Sequence, residues 1–210
     1  NHMEIKNYDD LGNLEIDTLG EVGSIGTGNA ATALSGLLNR RVRITLPEVR
    51  IMEYNEAIDW IGGPENVTAG VLVRIGGDIG GIMLSVLPLE FVNMVLECML
   101  DNKVEEFEHL DELQRSALVE VGNIMISTFI NALSGLSGVT MELTVPSLTV
   151  DMQGAILAVP MAEYGGQTDY LMTIGGNFTC DDYELPCRLL LSPEIRGLNY
   201  LLRKLGVTNG

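Results

Sequence analysis

The stretch SALVEVGNIMISTFINALSGLSGVTMELTVP, residues 116–146, decides the fold of this chain. Around its first half, apolar residues recur close to every 3.6 positions, which predicts an amphipathic helix with one face toward a core. The predicted core-facing residues are Leu113, Leu118, Val121, Ile124, Met125, Thr128, Phe129 and Leu133. Gly135 and Gly138 are expected to end the helix. Residues 139–146 then predict a strand with Pro146 at its exit.

The polar face of this helix carries Ser116, Glu120 and Asn123, at spacings of four and three. Residues three or four apart stand one above another on a helix surface. A carboxylate and an amide should therefore project side by side. On an isolated helix such a pair is usually only part of a solvated face, so it does not by itself indicate a site.

The same pattern occurs twice in the chain, at a constant shift of 99 residues. The matching segments are EVG at 21–23 and 120–122, ALSGL at 33–37 and 132–136, and IGGD at 75–78 with IGGN at 174–177. A shift that stays constant over this length indicates a tandem duplication. One mismatch is informative, because Ser24 stands where the second copy has Asn123.

The spacing Ser116-x3-Glu120-x2-Asn123-x22-Pro146 resembles the signature of the CheC/CheX/FliY family of phosphatases, which act on the phosphorylated chemotaxis regulator CheY. The resemblance covers nearly the whole chain. It implies that Glu120 and Asn123 are catalytic and that Ser116 and Pro146 complete the signature. It also implies that the partners are phosphorylated CheY and CheD, the receptor deamidase.

The chemistry of an aspartyl phosphate suits this pair of side chains. The acyl phosphate bond between the aspartate and phosphorus is already activated, so the protein needs no nucleophile of its own. Catalysis then consists of positioning a water and of electrostatic stabilisation. An amide can both donate to and accept from one water without carrying charge. The resemblance implies that Asn123 orients this water and that Glu120 pairs with a lysine of the regulator. Magnesium would then be held by CheY, and no cofactor is expected on this chain.

The first copy keeps three of the four signature positions, as Asp17, Glu21 and Pro47, but has Ser24 in place of the asparagine. A serine hydroxyl can bind water but reaches less far than an amide. We therefore predict an active second site and a first site that is weak or only binds. Asp17 and Ser116 have a simpler interpretation as helix-capping or first-turn residues.

One further candidate is Asp151, which resembles part of the family segment implicated in docking CheD. Its alternative interpretation is an ordinary carboxylate at the end of a strand.

The segment Gly26-x-Gly28-x-x-Ala31 resembles a dinucleotide fingerprint, but that motif requires a preceding strand. The residues before it predict a helix, so nucleotide binding is not expected.

Composition narrows the possible functions. The net charge is −17 and the pI is near 4.3, which argues against nucleic-acid binding. The chain has no uninterrupted apolar run of 18 residues, so no membrane insertion is expected. Cys98, Cys180 and Cys187 leave at least one thiol unpaired and favour a reducing, cytoplasmic setting. Their spacing does not suit a zinc site, and no metal site is expected.

We predict an α+β fold in which two copies of helix, strands, hairpin and helix merge into one mixed or antiparallel sheet. The resemblance implies a pseudo-two-fold arrangement, and we expect the two long helices on one face. Residues 1–10 are expected to be a tag remnant with a loose N-terminus, followed by repeats at 11–104 and 105–210. Strands are expected near 49–54 and 148–159, and hairpin turns at 76–78 and 175–177.

Two alternatives to a phosphatase stay open. The chain could be a binding module that captures phosphorylated CheY or CheD with little turnover, which the degenerate Ser24 favours. It could also be a component of the flagellar switch resembling FliY. Because such a protein would carry a further switch-binding domain, the end of this chain soon after its last predicted helix counts against the second alternative.

Overall fold

The computed structural model describes residues 4–45, 48–164 and 169–207. Two short 3-10 helices, Tyr8–Asp10 and Phe107–His109, precede the two long helices. The other elements in chain order are α1 (Asn13–Leu38), β1 (Val42–Ile44), β2 (Glu48–Glu53), α2 (Tyr54–Ile61), β3 (Val67–Gly77), β4 (Gly81–Leu87), α3 (Leu89–Leu100), α4 (Glu112–Ser137), β5 (Met141–Leu143), β6 (Ser147–Met152), α5 (Gln153–Tyr164), β7 (Tyr170–Cys180), β8 (Tyr183–Pro193) and α6 (Ile195–Lys204).

These eight strands form one sheet in which the pairings are antiparallel. β4 and β8 pair at its centre, with β3 outside β4 and β7 outside β8. β5 and β6 of the second copy extend the sheet beyond β3, whereas β1 and β2 of the first copy extend it beyond β7. Each copy thus supplies the edge of the other copy's hairpin. The predicted α+β class with one merged sheet is confirmed.

The two long helices lie on the same face of the sheet, as predicted, and pack against each other. A Cβ built on Gly26 of α1 would lie 2.9 Å from the Cα of Phe129 in α4. The glycine therefore permits a close approach of the two backbones. Gly26 and Gly28 both lie inside α1, so this segment does not have the strand-turn-helix context that the dinucleotide motif requires.

Two helices that the sequence did not predict, α2 and α5, cover the other face of the sheet. The expected strand at 148–159 is wrong beyond Met152, where α5 begins. The helix α2 begins because the Glu53 side chain accepts hydrogen bonds from the backbone N–H groups of Asn55 and Glu56. Since helices cover both faces, the central strand β4 is buried along its whole length.

The hairpin turn expected at residues 175–177 is also placed wrongly. These residues lie inside β7, whose pairing with β8 continues to Cys180 opposite Tyr183. The turn is made by Asp181 and Asp182, and Asp181 has a left-handed backbone with φ of 49°. Aspartate tolerates this conformation better than most residues. The turn expected at 76–78 begins two residues later, at Asp78, because Gly76 and Gly77 continue β3 opposite β5.

Helix α4 buries the predicted stripe, with exceptions at three positions. Leu113 is 64% exposed, because the buried side chain of Gln114 takes the core-facing position in the first turn. Gln114 and Asp111 form a reciprocal capping box there. Ile124 and Thr128 are only half-buried.

α4 is also long and apolar enough to cross a membrane by length and composition. However, 56% of its most apolar window is buried inside the fold, where it packs on α1 and the sheet. The core helix of a globular protein meets the same two criteria, so this observation gives little support to a membrane span.

Candidate functional site

The signature residues of the second copy meet in a groove between α4 and the strand β6. Helix α4 supplies Ser116, Glu120 and Asn123, and the chain before β6 supplies Pro146. The groove is lined by Glu112, Arg115, Ser116, Val119, Glu120, Asn123, Pro146 and Leu148. The structure therefore brings together four residues that are spread over thirty positions of the sequence.

The side chains of Glu120 and Asn123 are available for binding. Glu120 is exposed and Asn123 is half-buried. Within the described parts of the chain, neither side chain has a hydrogen-bond partner or an ion-pair partner. The amide of Asn123 can therefore hold a water, and the carboxylate of Glu120 can meet a cation from a partner.

The position of this surface depends on Gly122, which faces the sheet from the opposite side of α4. A Cβ built on Gly122 would lie 2.5 Å from Cγ2 and 2.6 Å from Cβ of Val71 in β3. Both residues are buried. Any side chain at position 122 would overlap Val71, so glycine lets α4 pack closely on the sheet and thereby sets the position of Glu120 and Asn123.

The first copy presents a different arrangement. Glu21 is exposed, like its counterpart, but the Ser24 hydroxyl donates a 3.0 Å hydrogen bond to the backbone carbonyl of Gly20. This bond ties the hydroxyl to its own helix. Asp17 is exposed on α1. Pro47, the fourth signature position, lies outside the described residues.

Sequence reasoning missed Arg115, which lies beside Ser116 and lines the same groove. A cation is uncommon here, since the chain has 12 lysines and arginines against 29 acidic residues. Its position one residue before the signature was the available signal. Arg115 is exposed and can offer positive charge to an anionic partner.

Asp151 lies elsewhere, on β6 opposite Thr68 of β3. It lines a groove that also contains four glutamates and two exposed apolar residues. These are Glu65, Glu105, Glu106, Glu108, Val67 and Met152. The carboxylate of Asp151 accepts a 2.7 Å hydrogen bond from the backbone N–H of Met152. This surface is acidic with an apolar floor, and it is separate from the groove of Asn123.

The cysteines are free thiols in this structure. Burial raises the pKa of Cys180 and of Cys187 to about 12, so both are neutral thiols near pH 7. Neither is therefore an activated nucleophile. In the described ranges, histidine, cysteine and carboxylate side chains do not come together in groups of three or more that could hold a metal ion.

Known proteins resemble this chain in sequence and in fold. A model of the CheC-like family matches residues 14–51 and 113–150, two segments offset by 99 residues. The CheY-P phosphatase CheC of Bacillus subtilis is 27% identical over 92% of this chain and 95% of its own length. The flagellar motor switch phosphatase FliY of the same organism is 31% identical over 68% of this chain, which spans only 37% of that relative.

The solved structure of FliY from Thermotoga maritima has the same fold. It superposes with a TM-score of 0.73 over 93% of this chain and 98% of that chain, at 24% identity. One family match falls at the start of each copy, where it covers the long helix, the short strand after it and part of the next strand. From the family-model match and the similarity to CheC, together with the duplicated signature, the chain belongs to the CheC-like family.

Proposed function

We propose that this chain is a phosphatase that hydrolyses the aspartyl phosphate of phosphorylated CheY at the groove of Asn123. The observation that carries the proposal is that Glu120 and Asn123 stand together on a firmly packed helix and that their side chains have no partner among the described residues. The names of two relatives, CheY-P phosphatase CheC and flagellar motor switch phosphatase FliY, support the same reaction class. The free cysteines are consistent with a cytoplasmic location.

In this proposal Asn123 and Glu120 have different roles in the groove. The amide of Asn123 accepts a hydrogen bond from a water and donates to it, which holds the water in line with phosphorus. An uncharged side chain suits this task because a carboxylate would repel the phosphoryl oxygens. Glu120, one turn earlier, pairs with a lysine of the regulator and sets the docking register. Magnesium belongs to the CheY substrate.

Measuring phosphate release from magnesium-loaded phospho-CheY tests this proposal. Faster release in the presence of the chain than from CheY alone would support the phosphatase. No acceleration, combined with binding that depends on phosphorylation, would instead favour the alternative of a capture module. If the chain neither accelerates release nor binds, then the groove is not a site for this regulator.

The first site offers a gain-of-function prediction. We expect Ser24→Asn to raise phosphate release per chain by up to about twofold. A restored first site that acts independently would add at most the rate of the site at Asn123. The substitution replaces a hydroxyl bonded to the Gly20 carbonyl by an amide that can reach a water. Ser24→Ala serves as the control and should leave the rate unchanged. A loss of activity in Ser24→Asn would contradict the assignment of site two as independent.

We propose CheD as a second partner, docked on the acidic groove of Asp151. The groove combines clustered carboxylates with the exposed side chains of Val67 and Met152, which suits a partner surface of basic and apolar residues.

We expect Asp151→Lys to weaken CheD binding at least tenfold while phosphate release without CheD stays unchanged. Titration by isothermal calorimetry measures this. Asp182→Lys, a charge reversal in the exposed turn between β7 and β8 and outside the groove, is the control, and an equal loss in both variants would argue against the groove.

A further inference from the structure

A third pocket lies on the far face of the sheet, where α2 meets β7 and β8. It has a volume of about 290 Å³, close to the lower limit for small-molecule sites. Trp60 of α2 and Arg188 of β8 form its most distinctive pair of side chains, and Asn177 of β7 adds an exposed amide. The proposed phosphatase reaction does not use this pocket.

Arg188 is incompletely satisfied. Its guanidinium lies 5.1 Å from the centroid of the Trp60 ring, a cation–π contact. Its Nε is buried and has no hydrogen-bond partner. Five other cations form ion pairs with carboxylates, but Arg188 forms none within the described ranges. The other arginines without an ion pair in the described ranges, Arg41, Arg43, Arg115 and Arg196, are exposed to solvent, whereas Arg188 is half-buried.

The contact between Arg188 and Trp60 is built into the fold. A Cβ on Gly175 would lie 2.9 Å from Cζ2 of Trp60, so only glycine allows the indole ring to lie so close to the sheet. Gly175 is also the residue that pairs with Arg188 across β7 and β8. The repeat places Val159 at the position equivalent to Trp60, so the second copy does not reproduce this arrangement.

The charges lining the pocket favour an anion. Burial lowers the pKa of Arg188, but an arginine remains protonated near neutral pH. Cys187 alternates with Arg188 along β8 and its side chain belongs to the core on the opposite face of the sheet, so its thiol does not face the pocket. Glu48 is the one carboxylate among the lining residues, and its charge is partly offset by Arg50 at 3.8 Å.

We propose that this pocket binds a small oxyanion, a carboxylate or phosphate group of a dissolved molecule, between Arg188 and the amide of Asn177. An arginine fork matches the geometry of both oxyanions. A bound oxyanion would give the guanidinium the charged partner that the described chain does not provide.

Trp60 allows a direct test, because it is the only tryptophan in the sequence. The full chain is titrated with inorganic phosphate, and separately with acetate, at constant ionic strength while tryptophan fluorescence is recorded. We expect a saturable change with at least one anion in the millimolar range, and the comparison shows which oxyanion the pocket prefers. The bound anion should also raise the thermal midpoint of unfolding.

Two variants distinguish the pocket from a general salt effect. Arg188→Gln should weaken the apparent affinity at least tenfold, whereas Arg196→Gln, which removes an exposed cation from α6 outside this pocket, should not weaken it. If Arg188→Gln does not fold, Glu48→Gln provides the second measurement and should tighten binding about two- to fivefold by removing a repulsive charge. An absence of any saturable response in the wild type, or equal responses in Arg188→Gln and the wild type, would overturn the proposal.

Discussion

Replacing Asn123 by alanine is expected to slow phosphate release from phospho-CheY by about 100-fold, which corresponds to about 2.7 kcal/mol of transition-state stabilisation. The amide is the group proposed to orient the attacking water, and alanine offers neither donor nor acceptor. Because the proposed docking contact is made by Glu120, the affinity for phospho-CheY should change much less than the turnover rate. Single-turnover phosphate release and a separate binding titration measure the two effects.

Asn131→Ala provides a matched control for this experiment. Asn131 is exposed on the same helix but does not line the groove. The substitution therefore removes the same chemical group from α4 at a position outside the groove, and the rate of phosphate release should not change. If Asn123→Ala retains the full rate, or if Asn131→Ala slows it equally, the role assigned to Asn123 is wrong.

Replacing Gly122 by alanine should give the largest loss of stability among the glycine substitutions in α4. The new methyl group would overlap the branched side chain of Val71, which is itself buried under the helix. Overpacking of this kind costs about 1–3 kcal/mol, while the gain in helix propensity is only about 1 kcal/mol. We expect a net loss of up to about 2 kcal/mol in the free energy of unfolding, measured by urea denaturation.

The same substitution should also reduce phosphate release, since Gly122 lies between Glu120 and Asn123 on the helix. Gly135→Ala is the matched control, because a Cβ at Gly135 meets no atom within 4 Å. It should stabilise the protein by up to about 1 kcal/mol and leave activity unchanged. Combining Gly122→Ala with Val71→Ala should restore part of the stability, because the second change removes the overlapping atoms. Equal stability of Gly122→Ala and Gly135→Ala would contradict the close packing.

The sequence was sufficient to predict α4, the merged sheet and the grouping of the signature residues. Both helical periodicity and the 99-residue repeat are local or regular patterns, which can be read without knowing the tertiary contacts. The prediction that Leu113 faces the core was wrong, because it rested on periodicity alone. Periodicity alone could not show that Gln114, bonded to Asp111, would take the buried position in the first turn.

The helices α2 and α5 were not predictable by the same reasoning. The apolar run around residues 155–159 fits a buried strand or a buried helix equally well, and only the packing on the second face of the sheet decides between them. The position of the second hairpin turn depended on how far β7 and β8 stay paired. Likewise, Trp60 and Arg188 are far apart in sequence and meet only through the fold.

The exchange of edge strands between the two copies has a consequence for biosynthesis. Val42 of β1 pairs with Cys180 of β7, so the first copy leaves the ribosome long before its sheet partner is made. Contacts of such high sequence separation slow folding. Until the second copy emerges, β1 and β2 have no native partner, and the nascent chain presents unpaired strands on which chaperones can act. The two copies should accordingly unfold together as one cooperative unit.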